Sequence, residues 1–176
     1  MFSSIFFLLC KEEDAREQVQ DQLLKAQESG ITIHSVTDTC DQKIVRALSN
    51  ADLIFDAMLG TGLRSVPRSP VADYIQLSAD RPQGRLIAVD LPSGLDADTG
   101  VGYAEAADLT VTFGVPKPVH VLYPGKAQCG RISIADIGLD DRRPSGSERY
   151  VSFAGSCPRL PQRSRTAHKG NVGRVA

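Results

Sequence analysis

The sequence predicts an α/β domain built on a mostly parallel sheet. Short, continuous apolar runs alternate with amphipathic stretches over roughly the first ninety residues, which is the pattern of strands separated by helices. Two of those runs each deliver an aspartate into a glycine-containing loop, as strands do at the ligand-facing edge of an open α/β sheet. Parallel strands are covered on both faces by their crossover connections, so they read as unbroken apolar runs rather than alternating ones.

Ser4 to Leu9 fits a buried central strand. Asp14 to Ser29 places Ala15, Val19, Leu23 or Leu24, and Ala26 at helical spacing, with Gly30 as the C-terminal stop. Ile31 to Val36 is the next strand, and a short helix follows from about Asp41 to Ser49. Leu53 to Phe55 is a buried strand ending at Asp56, and a helix follows from about Val71 to Ala79. Leu86 to Val89 is a strand ending at Asp90. Leu109 to Phe113, Val119 to Leu122 and Ile132 to Ile137 are three further strands without clear helices between them, so the sheet finishes with shorter connections. From 140 to 167 the chain turns rich in Arg, Pro and Ser and loses apolar periodicity, the composition of a linker or disordered segment.

Composition narrows the function. Twenty basic against twenty-one acidic residues leave a net charge of −1, which gives no footprint for nucleic acid or an anionic membrane. Cys10, Cys40, Cys129 and Cys157 are far apart, and the three histidines have no metal-ligand spacing, so the cysteines read as free thiols rather than a zinc site. The apolar start from Phe2 to Cys10 has no basic flank and no small-residue cleavage site, and it is far short of the ~20 residues a membrane span needs. A cytoplasmic protein is expected.

Two segments carry the chemistry. In the first, Asp56 is followed by Ala57-Met58-Leu59-Gly60-Thr61-Gly62-Leu63-Arg64; in the second, Ala88-Val89-Asp90-Leu91-Pro92-Ser93-Gly94-Leu95-Asp96-Ala97-Asp98-Thr99-Gly100. Gly60 and Gly62 let the backbone come close to a ligand and offer N–H groups to an anion. Asp56 and Asp90 can hold a cation, a hydroxyl or a proton in the same crevice. Taken singly, each aspartate also suits a helix cap or an Asx-turn, and Gly-Thr-Gly suits an ordinary turn.

Both segments closely resemble the signatures of the NAD(P)H-hydrate epimerase domain, the YjeF N-terminal family. Ala107 to Gly114, Lys117, Pro124-Gly125 and Asp136-Ile137-Gly138 continue the likeness in order, so that it spans about Ser4 to Leu139. The resemblance implies a Rossmann-like three-layer sandwich and epimerisation of the C6 R and S forms of hydrated NADH and NADPH, a cofactor-repair step. It implies K+ bound by Asp56 and Ser93. It implies substrate contacts from Gly60, Thr61, Gly62, Leu63, Arg64, Ser65 and Val66, and from Asp90, the candidate general acid/base. Asp96 and Asp98 read as turn-shaping residues and Lys117 as either a phosphate contact or a solvated lysine. His34 and His120 read as incidental.

The family's Gly-Asn-Asn-Gly-Gly-Asp loop, which follows its first strand, is not found in this sequence. The expectation is therefore a domain over 1–139 that lacks its first strand and phosphate loop and has exposed sheet edges. His168-Lys169-Gly170-Asn171-Val172-Gly173-Arg174-Val175 resembles the opening of the ADP-dependent dehydratase domain, so a linker over 140–167 and the start of that domain over 168–176 are expected. The expected partners are NADHX or NADPHX and the dehydratase domain of a parent chain, with room for a homodimer. The alternatives are a non-catalytic nucleotide- or ADP-ribose-binding module and an inactive fragment.

Overall fold

The computed structural model describes residues 4–37, 41–79 and 84–139. The expected linker, the dehydratase-like segment, Cys40 and Cys157 lie outside the described residues. Among the described residues, six strands and three α-helices follow in the order β1 (Ile5–Leu8), α1 (Glu17–Glu28), β2 (Thr32–Ser35), α2 (Gln42–Asn50), β3 (Leu53–Asp56), α3 (Val71–Ala79), β4 (Arg85–Val89), β5 (Leu109–Phe113) and β6 (Arg131–Ala135). The helices form where the spacing predicts them, and their ends have local causes. Asp41 caps α2 by accepting from the Lys43 N–H at 2.7 Å, while its own N–H donates to the Tyr74 hydroxyl on α3 at 3.1 Å. Gly30, at φ 79, takes the left-handed turn that closes α1.

Every named strand pair is parallel, as the apolar runs require, but the strands form two sheets rather than one. β1 pairs with β2, and a separate sheet runs in the order β3-β4-β5-β6. Among the described residues neither β1 nor β3 has a partner on its other edge. This corrects the expectation that these two strands are buried. Ile5 and Phe6 are 52% and 47% exposed, and Leu53 and Phe55 are 52% and 64% exposed. A strand paired on one side only leaves part of its side chains without neighbours, whatever its hydrophobicity.

Where the sequence shows no helix, the connections themselves become the core. Between β4 and β5 the chain buries Leu91, Leu95, Ala97 and Ala104, which pack with Val119, Cys129 and Ile132. Leu91 and Leu95 are fully buried, and each contributes about 1.5–3 kcal/mol of hydrophobic stabilisation. A second cluster joins Val36, Ile44 and Tyr74 with Phe7, Leu9, Leu48, Met58 and Leu77, so α2 and α3 pack against β1 and the loop after β3. Val119 to Leu122, expected as a strand, contains instead a 3-10 turn over Pro118–His120. Pro118 has no N–H for a sheet ladder and its fixed φ suits the first position of a turn. Its carbonyl accepts from Val121 and Leu122 at 3.0 and 2.9 Å. Val119 serves the core, not a sheet, while Leu122 is exposed. Among the described residues no helix is long and apolar enough to cross a membrane.

Candidate functional site

Asp56 is the last residue of β3, and it is paired in register with Ala88 on β4; Asp90 follows the end of β4. Both motifs therefore meet at the carboxyl ends of neighbouring parallel strands, where open α/β sheets bind ligands.

Asp56 is buried and tied to the second motif through Ser93. The Ser93 hydroxyl donates to Oδ1 of Asp56, the Ser93 N–H donates to Oδ2 at 2.7 Å, and the Leu59 N–H donates to the Ser93 Oγ at 2.9 Å. Burial pushes the Asp56 carboxyl above its ordinary value, outweighing the Ser93 and Met58 hydrogen bonds that pull it down. Among the described residues no cationic side chain pairs with it. A desolvated carboxylate, a serine oxygen and the Leu59 carbonyl, 3.3 Å from that oxygen, form an all-oxygen donor set. Such a set fits a hard cation. A positive charge there would also relieve the cost of ionising Asp56.

Asp90 is held quite differently. Its φ is 70, a left-handed conformation uncommon outside glycine. The Leu91 N–H donates back to the Val89 carbonyl at 3.0 Å, which makes Asp90 the centre of a strained γ-turn. The carboxylate is anchored at one oxygen: Oδ1 accepts from the Thr112 hydroxyl at 3.0 Å, the Phe113 N–H at 3.2 Å and the Lys117 ammonium. Oδ2 accepts no hydrogen bond from the described residues, and the side chain is 18% exposed. Burial raises the Asp90 carboxyl, but the hydrogen bonds from Lys117, Phe113 and Thr112, with the Lys117 charge, outweigh it. The group is held below its ordinary value.

The loop from Gly60 to Val66 lies open. Gly60, Thr61, Gly62, Arg64, Ser65 and Val66 are exposed and Leu63 is half-buried. A Cβ at Gly60 or Gly62 would meet no atom within 4 Å, and neither residue has a left-handed φ. Nothing in the described fold demands glycine at either place. Gly94 is the opposite case: it has φ 103, and a Cβ would collide with the Tyr103 carbonyl. Arg64 reaches Asp98 at 3.3 Å and Asp96 at 3.8 Å, so it ties the first loop to the second.

The structure brings Asp56 and Ser93 into contact and brings the Gly60 loop to Asp98 through Arg64. Among the described residues no hydrogen bond joins that loop to Asp90. Asp96 shapes its turn as expected, accepting from the Asp98 N–H at 3.0 Å and the Thr99 N–H at 2.8 Å. Lys117 and His120 correct the sequence reading. Lys117 is not a solvated lysine but is packed on Asp90, with its Nζ also donating to Thr112 Oγ1 at 2.9 Å and the Phe113 carbonyl at 3.1 Å. His120 is 1% exposed and contacts the Asp90 carbonyl at 2.9 Å. Cys129 is a buried thiol, pushed up to about 11 by burial, and so is inert as a nucleophile. A surface depression of about 460 Å³ along α1, lined by Glu12, Gln20, Leu23 and Gln27 among others, shares no residue with this site.

Residues 2–119, more than half of the chain, match the sequence profile of the family described as YjeF-related protein N-terminus. The chain belongs to that family. Relatives carry the name bifunctional NAD(P)H-hydrate repair enzyme. The one from Hyperthermus butylicus is 42% identical over 144 residues, covering 78% of this chain and 26% of the relative. The one from Moorella thermoacetica is 35% identical over 175 residues, 96% of this chain and 33% of the relative. The one from Escherichia coli is 38% identical over 132 residues, 72% and 25% respectively. This member of the YjeF-related family thus spans between a quarter and a third of the length of these relatives. A crystal structure of the yeast protein ynu0 shares its fold, with a TM-score of 0.55 at 18% identity over 70% of this chain and 50% of that one. The α/β class and parallel pairing expected from the sequence are borne out.

Proposed function

We propose that this chain carries NAD(P)H-hydrate epimerase chemistry, interconverting the C6 R and S epimers of hydrated NADH and NADPH. Family membership and the names of the relatives support the reaction class. The observation that carries the residue roles is the half-anchored carboxylate of Asp90, with Oδ1 saturated by three donors and Oδ2 left to work. A carboxylate held ionised beside a lysine is a base in its resting state. The hydrated carbon bears a hydroxyl next to the ring nitrogen. Asp90 Oδ2 accepts the hydroxyl proton as the C6–N1 bond opens to an aldehyde, and passes it to the nitrogen. Rotation and the reverse proton path close the ring on the opposite face, so no proton or electron is gained or lost.

Asp56 and Ser93 would hold K+, with the Leu59 carbonyl as a further oxygen. When bound, the ion supplies a positive charge that offsets the buried carboxylate and favours anionic parts of the substrate. Gly60 to Val66 would receive the dinucleotide phosphates, with open backbone at Gly60 and Gly62 and the Arg64 charge nearby.

The test starts from the pure R epimer of hydrated NADH and follows appearance of the S epimer by chromatography, in KCl and in a chloride without potassium. Acceleration by the chain, lost in Asp90→Asn, is expected. Binding of the hydrate with no acceleration would favour the non-catalytic nucleotide-binding module instead.

A further inference from the structure

We infer that His120, with Lys117, is a positioning residue that clamps Asp90 at both ends and so decides which carboxylate oxygen meets the substrate. The inference rests on the epimerase reading for its catalytic consequence, while its geometry stands apart from it.

A backbone carbonyl can only accept, so the 2.9 Å contact between His120 Nε2 and the Asp90 carbonyl requires a proton on Nε2. The other ring nitrogen, Nδ1, accepts the Lys117 main-chain N–H at 2.9 Å and must therefore be bare. Both ring nitrogens are spoken for, and the imidazole is fixed as the neutral Nε2–H tautomer. The same Lys117 whose N–H holds the ring sends its ammonium to Asp90 Oδ1. His120 thus grips the carbonyl of Asp90 while Lys117 grips the carboxylate, and a hydrogen bond binds the two grips to each other.

The clamp answers a need created by the backbone. A non-glycine residue at φ 70 inside a γ-turn stores backbone strain and persists only where surrounding contacts over-determine it. Two elements supply those contacts. The Asp90 N–H donates to Val111 on β5 at 2.8 Å, Thr112 and Phe113 on β5 hold Oδ1, and the 3-10 turn over Pro118–His120 supplies the ring. Remove the ring and the Asp90 carbonyl loses its buried donor. The turn can then relax and rotate Oδ2 away from its direction. A misplacement of about 1 Å at a reacting group can cost a hundredfold in rate.

The test compares wild type, His120→Leu, His120→Gln and His120→Asn in the epimer-exchange assay, alongside ring ¹⁵N shifts of His120 in the wild-type chain. The geometry predicts one protonated and one bare ring nitrogen at neutral pH. It predicts that His120→Leu lowers kcat by about ten- to a hundredfold with KM nearly unchanged. His120→Gln, whose amide nitrogen can stand where Nε2 stands, is expected to recover most of that loss, and His120→Asn, whose amide falls short, is not. A protonated imidazole or the Nδ1–H tautomer in the wild type overturns the inference whatever the activity. Full kcat in His120→Leu, or equal behaviour of the Gln and Asn variants, overturns it as well. A wild-type chain that shows the Nε2–H signature yet exchanges no epimers sinks the epimerase reading and leaves the clamp supported.

Discussion

Asp56 ends β3 and Asp90 follows the end of the neighbouring parallel strand β4; both open similar glycine-containing loops, and they are held in opposite ways. Asp56 is buried on hydrogen bonds from Ser93, without a cation among the described residues, and burial lifts its carboxyl above the ordinary value. Asp90 sits at a strained turn against Lys117, and its donors hold it below the ordinary value. Two carboxyl groups whose surroundings push them apart are suited to two jobs. In the proposed reading the first would take an external positive charge, and the second, already paired with Lys117, would use its Oδ2 to move a proton.

The strongest way to break this contrast is to neutralise Asp90. Asp90→Asn is expected to slow epimer exchange by about 10²–10⁴-fold, the usual worth of a positioned acid/base. The fold should survive, because asparagine tolerates a left-handed φ. Circular dichroism checks the second point and the exchange assay the first. Retained turnover would move the base elsewhere.

Ser93→Ala attacks the other carboxylate. It deprives the buried Asp56 of its hydroxyl donor and the Leu59 N–H of its acceptor, at a cost of about 1–3 kcal/mol in a denaturant titration. The Asp56 carboxyl should rise further.

Stability against pH separates the pair by sign. Asp56 has a raised folded value, so its contribution is fully present below its unfolded value and is lost as pH rises through the folded one. Asp90 has a lowered folded value, so its contribution is present above the unfolded value and is lost as pH falls through the folded one. Relative to wild type, Asp56→Asn should therefore gain stability as pH rises, whereas the deficit of Asp90→Asn should shrink as pH falls. Urea midpoints over about pH 3 to 7 read both trends.

The smallest effect on stability is expected at the open loop. Gly60→Ala and Gly62→Ala meet no atom within 4 Å and need no left-handed φ, so stability should stay level or rise by about 0.4–1 kcal/mol. A rise in KM for the hydrate without loss of stability would mark the loop as the place where substrate comes close.

How much of this was legible in the sequence follows from how local each feature is. Val71 to Ala79 and Leu109 to Phe113 were placed to the residue, because each depends on its own periodicity. Asp56 and Asp90 were legible because each follows an apolar run into a glycine-containing loop, whereas Ser93 was named only through the family resemblance. The exposure of β1 and β3 was not legible from their apolar runs, which do not reveal whether a neighbour pairs with them; only the family likeness, with its first strand missing, pointed to exposed sheet edges. The contacts of Lys117 and His120 with Asp90 were not legible, for a related reason. The two side chains lie 27 and 30 residues beyond Asp90, and only the register of β4 on β5 brings them to it. The available signal was Pro118, which argues against a strand starting just beyond it and for a turn that could carry side chains back to the sheet edge. Val119 hid that signal by looking like strand while serving the core beneath the connections.

The division between the two aspartates is open to one direct measurement: ¹³C carboxyl titration of Asp56 and Asp90 in the same sample, with and without KCl. The account predicts that Asp56 titrates above the ordinary carboxyl value and falls when potassium is added, while Asp90 titrates below it and does not respond. Equal midpoints, or a potassium response at Asp90 instead of Asp56, would contradict it.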